Sequence, residues 1–134
     1  MTFKALVPRA QNRADPVCIG RQKRCSHGRT TVMIEISFSP KLVQSLHWAV
    51  GERYEVSVGE GADLGYIRVR PNHTGYRLKM PGNTSARPRL TMSYWEDAGS
   101  FPSQPTDCRP DTINKTLTIR LPWVEKPVLR AVGA

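Results

Sequence analysis

The stretch from Thr31 to Pro71, TVMIEISFSPKLVQSLHWAVGERYEVSVGEGADLGYIRVRP, constrains the fold more than any other part of the chain. It opens on an alternation in which Val32, Ile34, Ile36 and Phe38 share one side and Met33, Glu35 and Ser37 the other, the period of a half-buried strand. Ser39 then stands where a helix N-cap belongs, and Pro40 follows at the first helical position, where a missing N–H costs nothing. Leu42, Val43 and Leu46 recur at helical spacing, so a short helix with one apolar face is expected. Gly51 allows the turn out of it. Tyr54, Val56 and Val58 alternate as a second strand. After the Gly59–Asp63 turn, Tyr66, Ile67 and Val69 belong to a third strand that Pro71 stops.

The flanks differ in composition. Residues Met1 to Thr30 carry seven cations, Lys4, Arg9, Arg13, Arg21, Lys23, Arg24 and Arg29, against the single acid Asp15. Thr2 to Val7 reads as a short strand, and Gln22-Lys23-Arg24 with Arg29 as the tip of a loop or hairpin. In residues 72–123, Tyr76 to Met80 and Arg89 to Trp95 alternate as two strands joined by a polar loop. Arg77 and Lys79 share one face of the first. Phe101 to Asn114 is rich in Pro, Ser, Asp and Thr and reads as a long loop. Lys115 to Trp123 is a strand with Leu117, Ile119 and Leu121 inward and Thr116, Thr118 and Arg120 outward. Residues 124–134 form a tail. The organisation is therefore a basic segment (1–30), a core (31–71), added strands (72–123) and a tail (124–134).

A chain of 134 residues with a formal charge of +9 and a pI near 10.0 attracts polyanions, of which nucleic acid is the commonest in a cytosol. No apolar run is long enough to span a membrane, and the N-terminus has no secretory signal, so a cytoplasmic protein is expected. Cys18, Cys25 and Cys108 are an odd number, and a reduced state is expected. Cys18, Cys25 and His27, with Cys108, His47 or His73 as a fourth ligand, match no common zinc spacing, so no metal or other cofactor is expected. No nucleophile elbow, phosphate loop, HExxH helix or Cys-x-x-Cys is present, which leaves no catalytic residue to name.

The order strand, short helix, strand, turn, strand resembles the swapped-hairpin AbrB-like DNA-binding family of bacterial and archaeal regulators and antitoxins. The resemblance rests on Phe38-Ser39-Pro40, Leu46-His47-Trp48, Gly51-Glu52, Tyr54-Glu55-Val56 and Tyr66-Ile67-Arg68-Val69, and it covers less than a third of the chain. It implies a mainly β fold with one short helix and a barrel-like core, flanked by an extra hairpin and a C-terminal strand. It also implies a homodimer that regulates transcription from duplex DNA in a bacterium or phage. Ile34, Ile36, Phe38, Leu46 and Trp48 would then form the dimer interface. Arg21, Lys23, Arg24, Arg29, Lys41, Arg77 and Lys79 are the expected DNA contacts, by phosphate pairing and base-edge reading. The alternative is a non-enzymatic inhibitor or adaptor, of the kind mobile elements carry, docking on an acidic protein surface through Tyr76, Tyr94, Trp95 and Trp123.

Overall fold

The computed structural model describes residues 2–3, 15–80, 87–94 and 100–124. Strands β1 (Val17–Ser26) and β2 (Arg29–Phe38) form a long hairpin, and a short helix α1 (Pro40–Ser45) follows. Then come β3 (Arg53–Val58), β4 (Tyr66–Pro71), β5 (Tyr76–Arg77), β6 (Arg89–Tyr94), β7 (Phe101–Pro105), β8 (Cys108–Asp111) and β9 (Thr116–Arg120). The first sheet has the order β6-β2-β1-β7 and the second β5-β3-β4-β9-β8, with every pair antiparallel. The fold is mainly β with one short helix, as expected. The barrel-like core is corrected: the two sheets do not close into a barrel.

Alternation explains how the sheets bury their inner faces. Val17, Ile19, Ile34, Ile36, Phe38, Leu90 and Met92 come from the first sheet. Tyr54, Ile67, Val69, Leu117 and Ile119 come from the second and belong to the same cluster. The chain crosses from one sheet to the other through α1. The Ser39 side chain accepts from the Leu42 N–H at 3.1 Å, and Pro40 starts the helix, as the sequence predicts. A neutralised N-cap of this kind stabilises a helix by about 1 kcal/mol. Leu42, Val43 and Leu46 point into the core, and Trp48 packs edge-on against Phe38 and tilted against Tyr54.

Ile34, Ile36, Phe38, Leu46 and Trp48, the residues expected at a dimer interface, are buried in the core within the single chain described. Residues 17–26 are a strand in the middle of the first sheet, so a division after residue 30 cuts through a hairpin. The stretch 31–71 is shared between sheets, β2 in one and β3 and β4 in the other. Within the expected loop 101–114, β7 and β8 are edge strands, the position where a sheet tolerates prolines such as Pro105 and Pro110. Gln22, Lys23 and Arg24 lie along β1; the hairpin tip is His27-Gly28, both at positive φ, as a two-residue turn of the mirror-image type requires. The expected strand at Thr2–Val7 falls mostly outside the described residues.

Candidate nucleic-acid interface

Strand β1 carries three of the seven expected contacts, and the first residue of β2 is a fourth. Arg21 is half-buried, its guanidinium 4.7 Å from the centre of the Trp123 ring, with Phe101 edge-on to that ring at 5.3 Å. The stack fastens the hairpin to the end of β9 by a cation–π contact. Lys23 is exposed, and its backbone N–H donates to Ser100 Oγ. Arg24 pairs through its backbone position with Thr31, and Arg29 is exposed beside the turn. The remaining three are scattered over other elements. Lys41 is exposed on α1, Arg77 lies opposite Arg53 at the β5–β3 pair, and Lys79 bridges to Arg89 between the sheets.

A denser cationic surface lies on the outer face of the second sheet. Since Tyr54, Val69, Ile67, Leu117 and Ile119 point inward, their strand neighbours point out. Those neighbours are Arg53, Arg68, Arg70, Arg77, Arg109 and Arg120. Arg70 is engaged, with Nε 2.6 Å from Glu55 Oε2, and Asn72 donates to the other oxygen of that carboxylate. The pair is solvent-exposed and adds little stability. One cross-strand row reads Ser57, Arg68, Thr118, Arg109, hydroxyl alternating with guanidinium across β3, β4, β9 and β8. Above it an open groove of about 1000 Å³ runs to the Glu60–Asp63 turn.

Sequence reading misses most of this face. Summed over the stretch, Arg53, Arg68 and Arg70 are offset by nearby acids, yet Glu52, Glu60 and Asp63 sit in turns while the arginines stand on the sheet. The available signal was the strict alternation of Arg68 and Arg70 with Ile67 and Val69, and the outward placement of Arg120.

The cysteines do not converge. Cys18 and Cys25 are seven residues apart on one strand, about 23 Å at 3.3 Å per residue, and fall on opposite faces. Among the described residues no group of three or more His, Cys, Asp or Glu side chains is placed to hold an ion. Burial pushes the Cys18 and Cys108 thiols above their ordinary range, with Arg87 pulling Cys18 back down and Asp107 adding to the rise at Cys108. Cys25 is exposed. Alkylation of the native protein at neutral pH is therefore expected at Cys25 first, with Cys18 at least about tenfold slower because its thiolate is both rarer and shielded. Peptide mapping after a timed iodoacetamide pulse checks this; equal labelling of the two contradicts the burial. Tyr54, whose hydroxyl accepts from the Ala49 N–H at 2.8 Å, is likewise held above its ordinary pKa by burial and serves the core.

Fold and surface together define a two-sheet, mainly β protein whose second sheet presents an arginine-rich outer face. Comparison with known proteins gives no match: no family model fits the chain, and neither a curated protein nor a solved structure matches it. Among the described residues no helix is long and apolar enough to cross a membrane.

Proposed function

We propose that this chain is a small non-enzymatic DNA-binding protein, a homodimeric transcriptional regulator that contacts duplex DNA through exposed Arg and Lys side chains. One observation carries the reading: six arginines stand on the outer face of one sheet, and a single one, Arg70, is in an ion pair there among the described residues. Cations whose backbones are held on one sheet match a polyanion, because folding already sets the spacing of their strands. The basic hairpin with Lys23 and Arg29 and the exposed Lys41 and Lys79 add to the positive charge. The order of β2, α1, β3 and β4 agrees with the AbrB-like resemblance. A cytoplasmic location goes with this reading.

Fluorescence anisotropy with a labelled random duplex tests it. Binding at about 50 mM salt should weaken by roughly 100-fold or more at about 200 mM, the loss expected from about four phosphate contacts. No binding at the lower salt overturns the reading. A second reading, docking on an acidic protein surface, is favoured by Tyr76, which is 41% exposed beside Arg77. Trp123 does not serve it as a free anchor, because its ring lies under Arg21. The Tyr94 side chain and Trp95 are outside the described residues.

A further inference from the structure

The groove on the outer face of the second sheet is lined by both cations and carboxylates. One side is the row Ser57, Arg68, Thr118, Arg109, which itself contains no carboxylate, with Asp107 at its edge two residues before Arg109. Arg68 and Arg109 are separated by two strand spacings, about 10 Å between backbones, with the Thr118 hydroxyl between them. Neither guanidinium has an ion pair or hydrogen bond among the described residues, and both are exposed. Arg120 stands one ladder step further along β9, about 6.6 Å away. The other side is the turn joining β3 to β4, where Glu60 and Asp63 are both exposed and line the same groove. Cations and carboxylates thus face one space without closing on each other.

We propose that this groove holds one nucleotide unit, its phosphate on Thr118 between Arg68 and Arg109 and the amino edge of its base toward Glu60 and Asp63. The proposal rests on the reading of this face as nucleic-acid-binding and names the unit it takes. Two guanidinium groups flanking a hydroxyl supply the planar forks and the donor that a phosphate dianion or diester accepts. Carboxylates cannot face a second phosphate, but they accept from the exocyclic amino group of a base, as Glu and Asp do from cytosine N4. A base that shows a carbonyl in the same place, thymine or uracil, leaves those acceptors facing an acceptor. The volume, about 1000 Å³, is at the upper end of clefts for small ligands (about 300–1,000 Å³), which leaves room for a nucleotide. The row sits on four hydrogen-bonded strands, so its spacing is set before the ligand arrives.

The test uses the full chain and two labelled single strands of equal length, oligodeoxycytidine and oligothymidine, followed by anisotropy beside the random duplex. Oligodeoxycytidine should bind about 5- to 10-fold tighter than oligothymidine, the low end of the discrimination that one base-edge contact gives. The double variant Arg68→Ala/Arg109→Ala should weaken both single strands about 10-fold or more. Glu60→Gln/Asp63→Asn should abolish the preference by tightening oligothymidine. All four positions are exposed, so circular dichroism and denaturation midpoints should not move. Displacement of the labelled strand by cytidine monophosphate identifies a free nucleotide as sufficient. Displacement by unlabelled strand alone shows that the unit must belong to a chain, and either result supports the groove. Equal affinity for the two strands, or undiminished binding by the arginine variant, overturns the groove while duplex binding leaves the wider reading standing. Absence of binding to every nucleic acid overturns both.

Discussion

Trp48→Ala should remove about 3–5 kcal/mol of folding stability, the range found when a buried aromatic is cut to a methyl group. Trp48 is 6% exposed, lies 5.4 Å from Phe38 edge-on and 4.7 Å from Tyr54, and is the joint between the helix and both sheets. Its indole Nε1 also donates to the Lys115 carbonyl at 2.9 Å, tying the turn before β9 to the end of α1. Truncation therefore opens a cavity and orphans a carbonyl together. Against a typical total stability of about 5–15 kcal/mol, a large part of the fold's reserve goes with one side chain. Urea denaturation followed by circular dichroism measures the effect. Trp48→Phe should recover about half of it, since the ring area returns and the hydrogen bond does not. The loss should be the same at every protein concentration, because the ring is buried within one chain. A loss below about 1 kcal/mol, or one that grows on dilution, would place Trp48 at an interface between copies instead.

The features that the sequence shows plainly are those decided locally. The Ser39-Pro40 start of α1 and the inward residues of β2, β4 and β9 follow from one turn or one strand and stand where the alternation puts them, whereas on β3 only Tyr54 is buried, Val56 is half-buried and Val58 is exposed. Strand β1 is harder to read because its outer half, Arg21 to Cys25, runs beyond most of the core and alternates no apolar residues. Its structure comes from ten consecutive pairings with β2, which no local pattern encodes. Gly20 adds a second reason. A Cβ there would come within 2.9 Å of the Ser103 backbone, so the glycine admits β7 alongside, at a point where the β1–β7 register shifts.

The candidate site was hidden for a related reason. A count of charge along the chain treats Arg68 and Glu60 as neighbours, whereas the pleat places one on a sheet face and the other in a turn. Arg109 joins Arg68 only because β8 and β4 flank β9, a sheet order that non-local pairing sets. The hairpin cations, which dominate the sequence by density, turn out to include one, Arg21, that is occupied by an aromatic ring. Density of charge along a chain and density of free charge on a surface are different quantities, and binding depends on the second.

Arg87→Ala should be nearly as damaging as the core truncation, with a loss of about 2–4 kcal/mol, although it deletes a residue that composition would assign to the basic surface. Arg87 is 9% exposed. Its Nη1 donates to the Asp15 carbonyl at 2.9 Å, its Nη2 to the Ser37 carbonyl at 3.2 Å, and its Nε to Ser37 Oγ at 3.3 Å. The fork thus fastens the entry to β1 onto the end of β2, beside the Pro88 carbonyl that accepts from the Phe38 N–H. Hydrogen bonds from a charged donor contribute about 1.5–3 kcal/mol each, and buried carbonyls left without a donor add their desolvation cost, so the sum exceeds that of one ordinary bond. Arg87→Lys keeps the charge but has no planar fork to reach three acceptors, and should recover less than half. The Cys18 thiol supplies a second readout. Burial raises its pKa and the nearby Arg87 charge lowers it, so removing the charge raises it further. The Cys18 pKa of folded Arg87→Ala should therefore lie above that of wild type, and that of Arg87→Lys close to it, as read from thiolate ultraviolet absorbance during a pH titration. An Arg87→Ala protein that keeps its midpoint within about 0.5 kcal/mol would show that the fork is replaceable by water, and that the sheet ladders alone hold β1 to β2.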